Sequence, residues 1–141
     1  MRAVLQRATR GQVSVDGEVV GQIGPGLVVL LGVTHTDGPA DVDWLVRKIR
    51  DLRLFEGEQS LAEVGGQALV ISQFTLYGDA RKGRRPTWVA AAPREVSEPL
   101  YDAVCAGLEA AGTHVARGIF GADMQVELVN DGPVTLVLES P

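Results

Sequence analysis

Cysteine is almost absent. Cys105 stands alone among 141 residues, so an intramolecular disulfide is excluded. It falls within a helical repeat of apolar residues, where a buried thiol is the expected role. Histidine is nearly as scarce: His35 lies in a polar turn and His114 just past an expected helix end. Neither is placed to serve as the base of a Ser-His-Asp hydrolase. With Cys105 they show none of the spacings that zinc ligands require, and no metal or cofactor is expected. Long apolar runs are missing too. The longest, Leu27-Val28-Val29-Leu30-Leu31, falls far short of the ~20 residues needed to cross a bilayer. The N-terminus lacks a secretory signal pattern, so the expectation is a cytoplasmic protein with no membrane partner. There is no internal repeat and no low-complexity segment.

A basic excess is also lacking. The net charge of -5 argues against a protein that coats nucleic acid through its overall field. One local exception stands out: Arg81-Lys82-Gly83-Arg84-Arg85 gathers four of the 13 basic residues, in a loop that also carries Tyr77 and Trp88. A run of this kind in isolation reads as a solvated loop.

What is present suffices for one domain over residues 1–141, because 45% apolar content at this length can bury a core. Residues 2–8 alternate weakly as a strand. Residues 13–20 read as a hairpin turned at Asp16-Gly17, residue types that tolerate the positive φ of a two-residue connection. Gly21, Gly24 and Gly26 resemble a phosphate loop only superficially, since no helix and no Lys-Ser/Thr ending follow; a turn is expected. Residues 27–33 form a buried strand. Asp37 or Thr36 is the expected cap of a helix from Pro39, with Val42, Leu45, Val46, Ile49 and Leu52 on its core face.

Residues 67–74 read as a central strand. Val96, Leu100, Val104 and Leu108 mark a second helix ending at Gly112. A start near Ser97 is expected there, because it keeps Pro99 in the first turn, where a missing N–H costs little. Residues 126–129 and 134–138 complete the chain as strands. The order predicts an α+β fold in which largely antiparallel sheets form a barrel-like or sandwich core with two main helices.

Two strings carry the functional information: Ser72-Gln73-Phe74-Thr75-Leu76-Tyr77, closing an apolar run, and Asn130-Asp131-Gly132-Pro133-Val134-Thr135, between two others. By itself Asn130-Asp131-Gly132 is an ordinary turn and reads as a hairpin loop. Together, and with Met1-Arg2-Ala3-Val4-Leu5-Gln6-Arg7 and Gly121-Ala122-Asp123-Met124-Gln125-Val126, the strings resemble the paired signatures of the D-aminoacyl-tRNA deacylases over nearly the whole chain.

That resemblance implies a homodimeric hydrolase of the ester in D-aminoacyl-tRNA, with glycyl-tRNA as a second substrate. It implies a cis Gly132-Pro133 peptide inserted into the site of a second subunit, where main-chain carbonyls exclude L side chains and Arg7 helps to hold the segment. The catalytic stretch would be Ser72, Gln73, Phe74 and Thr75. The vicinal 2'-hydroxyl of the tRNA would assist hydrolysis, while N–H groups near Gln73, Phe74 and Thr75 meet the oxyanion. Arg81, Lys82, Arg84 and Arg85 would then meet acceptor-end phosphates.

Thr75 stays open as a nucleophile, although a hydroxyl without a base is weak. A non-catalytic tRNA-end binding module and a small-molecule hydrolase stay open as well. Two departures bear on the pocket rim: residues 56–64 are short and lack a Lys-Met-Asn element, and Ile119 stands where arginine is frequent.

Overall fold

The computed structural model describes all 141 residues. In chain order it contains β1 (Arg2–Val15), β2 (Glu18–Ile23), β3 (Gly26–Gly32), α1 (Pro39–Asp51), α2 (Leu61–Val64) and β4 (Gln67–Ser72). A 3-10 turn (Phe74–Tyr77), α3 (Arg94–Ala110), β5 (His114–Arg117) and β6 (Gln125–Glu139) follow. β1 pairs antiparallel with β2 and β3 along one edge and with β6 along the other. β4 then joins β3, and β5 joins β4, both in parallel. The sheet curls until β2 approaches β5: a Cβ on Gly21 would sit 2.5 Å from the Arg117 carbonyl oxygen. This nearly closed barrel, with α1 and α3 as its main helices, is the α+β architecture expected.

The apolar runs of β3 and β4 are continuous because both faces are covered. Leu27, Val29, Leu31, Ala68 and Val70 pack with Leu45, Ile49, Val104 and Leu108 of the helices. Their alternates Val28, Leu69 and Ile71 join Ala8, Val13 and Ile23 in a second cluster on the other face. At the β1–β2 turn, Asp16 and Gly17 take φ of 50° and 81°, as that connection requires.

Several local expectations are corrected. Residues 2–15 form one strand serving two partners in succession. β5 and the short α2 carry too little periodicity to be read from sequence. Gly24 lies in the bend between β2 and β3, but Gly21 and Gly26 lie within the strands. Gly38 caps α1, its N–H donating to Asp41 at 2.9 Å, whereas the Asp37 carboxylate turns back to the Thr34 N–H at 2.8 Å.

α3 begins at Arg94 and keeps Pro99 inside. Pro93 accounts for the early start, since its carbonyl accepts from the N–H groups of Val96 and Ser97 and from the Ser97 hydroxyl. The buried stripe of α3 is Tyr101, Val104, Cys105 and Leu108, with Val96 exposed. A strict four-residue spacing drifts about 40° per step on a helix of 3.6 residues per turn, so it cannot stay on one face.

Finally, residues 130–132 make no hairpin. Both flanks pair with the same strand, Asn130 opposite Ala8 and Thr135 opposite Gln6, so β6 stays one strand along β1 and residues 131–134 bulge out between those pairs.

Candidate active site

β4 pairs in register with β3 as far as Leu31 opposite Ser72, and the Gln73 N–H adds one more bond to the Leu31 carbonyl at 2.8 Å. The chain then folds into the 3-10 turn, whose first bond runs from the Leu76 N–H to the Gln73 carbonyl. The amides of Phe74 and Thr75 are left without an acceptor in the chain, as first residues of a helical turn are. Of the three N–H groups expected to meet an oxyanion, Gln73's is therefore already committed and two remain.

Ser72, Gln73 and Phe74 border a cavity of about 450 Å³. Ser72, Gln73 and Phe74 form one wall, α3 supplies Arg94, Ser97 and Tyr101, and the segment from Phe120 to Met124 supplies another. Its only charged lining residues are Arg94 and Asp123, and no histidine, lysine or glutamate reaches it. The Tyr101 hydroxyl donates to the Val70 carbonyl at 2.8 Å. Burial raises its pKa, so it is no proton carrier near neutrality. Thr75 does not line the cavity, and its hydroxyl accepts from the Gln73 side-chain amide. Phe74 is 58% exposed and meets Trp88 edge-on, with ring centroids 5.4 Å apart.

The second string lies elsewhere. Gly132 and Pro133 do not line this cavity, and the peptide between them is cis. Two side chains fix the segment. The Arg7 guanidinium, 15% exposed, donates through Nε to the Asp131 carbonyl at 3.1 Å and through Nη1 to the Leu54 carbonyl at 2.8 Å. The Asn130 amide donates to the carbonyls of Arg7 and Val134 at 2.9 and 3.0 Å.

The basic cluster sits in a protruding loop closed by paired bonds between Asp79 and Thr87, and residues 81–90 are all exposed. Arg81 is bound bidentately by Asp79, at 2.9 and 2.6 Å, which holds that carboxyl down at about 2. Lys82, Arg84 and Arg85 make no ion pair.

His35 accepts no catalytic partner and meets only the Val89 carbonyl at 2.8 Å, and His114 is exposed at the start of β5. Cys105 is fully buried, with its thiol pushed up to about 11 by desolvation. Sequence reasoning missed Arg94, Ser97, Tyr101 and Phe120, because α3 reads as a core stripe and nothing in its spacing marks the turn that faces a cavity.

A family model described as D-Tyr-tRNA(Tyr) deacylase matches residues 4–139. A D-aminoacyl-tRNA deacylase of Kineococcus radiotolerans is 60% identical, over 99% of this chain and 100% of its own. One from Thermobifida fusca is 59% identical, over 99% of each chain. Among solved structures, one described as c-Myc DNA Unwinding Element Binding Protein superposes with a TM-score of 0.94 at 41% identity, covering 100% of this chain and 99% of that one. A probable eukaryotic D-amino acid tRNA deacylase shares the fold, with a TM-score of 0.85 at 20% identity, covering 97% of both chains. Identity this high over whole chains leaves one assignment: the chain belongs to the D-Tyr-tRNA(Tyr) deacylase family and is a hydrolase of the D-aminoacyl-tRNA deacylase kind.

Proposed function

We propose that this protein is a chiral proofreading enzyme. It hydrolyses the ester of D-aminoacyl-tRNA to D-amino acid and free tRNA, and also deacylates glycyl-tRNA(Ala), acting as a homodimer through hydrolysis assisted by the tRNA itself. The carrying observation is a cavity beside two uncommitted amides, at Phe74 and Thr75, with no histidine, lysine or glutamate in its lining and its single carboxylate, Asp123, on the Phe120–Met124 wall rather than on that of Ser72 to Phe74. The wall that carries the amides has no titratable side chain, and the substrate supplies the proton relay there. Water adds to the ester carbonyl carbon while the 2'-hydroxyl of the terminal adenosine carries its proton to the departing 3'-oxygen. The negative charge that gathers on the carbonyl oxygen meets the two N–H groups. Alignment of these groups contributes ~7 kcal/mol or more.

Selectivity is steric. Main-chain carbonyls of Gly132 and Pro133 from a second subunit occupy the space of an L side chain, and glycine, having none, is admitted. Dimer formation is supported by β6, whose outer edge has no partner and which exposes Val126, Val129 and Val137. Long exposed edges of this kind are normally covered. Lys82, Arg84 and Arg85, unpaired in the loop whose Trp88 meets Phe74, are available to acceptor-end phosphates.

The test is single-turnover deacylation of D-tyrosyl-, L-tyrosyl- and glycyl-tRNA, each also prepared with a 2'-deoxy terminal adenosine. Loss of the D and glycyl esters with the L ester spared, and arrest of both by the 2'-deoxy substitution, is expected. Equal loss of D and L esters refutes the screen. Full activity on the 2'-deoxy substrate, with Thr75→Ala inert but folded and still binding tRNA, transfers the chemistry to Thr75.

A further inference from the structure

The cavity carries a cation for which the reaction has no use. Arg94 is the sole basic residue lining it, on the α3 wall rather than on the wall of Ser72 to Phe74. Its guanidinium lies 5.5 Å from the Phe120 ring centroid. It is clamped by Glu98 one turn along, Nε to Oε2 at 2.6 Å and Nη2 to Oε1 at 3.3 Å. These two bonds use one edge of the fork. Nη1 makes no bond to any acceptor in the chain, and it faces Gly121, where a Cβ would stand only 3.6 Å from it. An arginine preordered on an aromatic face, with one amino group free beside a cavity of about 450 Å³, is suited to an oxyanion of the occupant. The cavity's one carboxylate, Asp123, forms no ion pair with it.

We propose that Arg94 is a specificity-determining residue that binds the 5'-phosphate of the terminal nucleoside of the tRNA, and that Glu98 tunes the strength of that contact by competing for the same guanidinium. This rests on the reading above, in which the tRNA 3' end enters the cavity. The ester end of the nucleoside then faces the Phe74 and Thr75 amides, while its 5' side faces α3. Arg94 thereby reports that a nucleotide chain continues beyond the terminal sugar, which separates tRNA from a free aminoacyl nucleoside. Because it touches no reacting atom, its loss raises KM and leaves kcat in place.

The experiment is calorimetric titration of the full-length protein with adenosine and with adenosine 5'-monophosphate, for wild type, Arg94→Ala and Glu98→Gln. Expected is an approximately tenfold preference of wild type for the monophosphate, its disappearance in Arg94→Ala, and an increase of about threefold in Glu98→Gln. KM for D-tyrosyl-tRNA should rise in Arg94→Ala, with the salt dependence of log KM reduced by about one phosphate contact. Arg94 is 63% exposed, so its removal should leave thermal unfolding unchanged. Equal binding of both ligands by wild type, or a preference that survives Arg94→Ala, overturns the proposal, as does failure of both ligands to bind. The binding arm needs no turnover. If the monophosphate preference vanishes in Arg94→Ala but no D-ester is cleaved, the phosphate site stands and the enzymatic reading falls; with D-ester cleavage intact and the preference unaltered, the reverse holds.

Discussion

Replacing Arg7 by alanine separates the stability of the Gly132-Pro133 segment from its selectivity. The side chain is 15% exposed and satisfies two carbonyls, one at Leu54 in a part-buried setting and one at Asp131 in an exposed one. Water can replace the donor at Asp131 but only partly at Leu54. Stranding a part-buried acceptor costs ~1–2 kcal/mol, and with the lost packing a destabilisation of about 2 kcal/mol follows. The ion pair to the Asp131 carboxylate, 3.4 Å long with Asp131 half exposed, adds little.

The Asp131 bond anchors the residue directly before Gly132, and releasing a charge-assisted bond worth about 1.4 kcal/mol lets non-excluding conformations gain about tenfold in population. Discrimination between D- and L-tyrosyl-tRNA should therefore fall about tenfold, chiefly through a faster L reaction. Arg7→Lys should recover only part, because one ammonium cannot bridge two carbonyls as a planar fork does. The assay pairs a urea unfolding midpoint with single-turnover rates on both enantiomers. A variant that loses stability yet still spares the L ester as completely as wild type refutes the idea that the held segment is the screen.

Burial lifts the Cys105 thiol from 9.0 to about 11, so the unfolded chain gives up this proton first and native stability should fall as pH rises from 9 to 11. The fall attributable to this group is about 3 kcal/mol, and urea midpoints of Cys105→Ala should show a flatter profile over that window; an equally steep one refutes the assignment. Tyr101→Phe should cost only about 1 kcal/mol by urea unfolding, because the Val70 carbonyl keeps a second donor in the Gly118 N–H at 3.3 Å. A loss above 3 kcal/mol would show that the phenol does more than bridge. In the basic loop, replacing Lys82, Arg84 and Arg85 by serine should lower the salt slope of tRNA binding by about 2. Arg81→Ser should change it much less, because Asp79 already holds that guanidinium; equal effects refute the distinction.

The fold was legible where period and turn chemistry agree. β3, the Asp16-Gly17 turn, and Val42, Leu45 and Ile49 on the core face of α1 follow from the apolar run, positive φ and helical spacing, whereas Leu52, expected on that face, falls past the helix end at Asp51. Reading failed where a neighbour overrides the local signal. α3 starts three residues early because the Pro93 carbonyl collects its first-turn donors, so Pro99 is tolerated inside. Asn130-Asp131-Gly132 looks like a turn, yet β1 pairs with the chain on both sides of it, and the Asn130 side chain, bonded to the carbonyls of Arg7 and Val134, closes residues 131–134 into a bulge. A string with turn chemistry becomes a bulge within one long strand when both of its flanks pair with the same neighbour.

The site was legible in a different sense. Ser72 to Phe74 do border the cavity, but no constellation of acids, bases and nucleophiles announced it, and in the mechanism proposed above the groups that act are main-chain amides. An amide N–H has no sequence signature, and only its surroundings decide whether it is free. Here the Leu31 carbonyl takes the Gln73 donor, and the first bond of the 3-10 turn passes over the two N–H groups that follow. The same reasoning extends to the Gly132-Pro133 carbonyls, whose placement depends on Arg7, far away in sequence on β1, and on Asn130, two residues earlier in β6. A site assembled from backbone therefore transmits its requirements to supporting side chains. Substitutions at Arg7 and Asn130 should disturb function more than a hydroxyl deletion at Thr75, although Thr75 alone of the three looks catalytic by residue type.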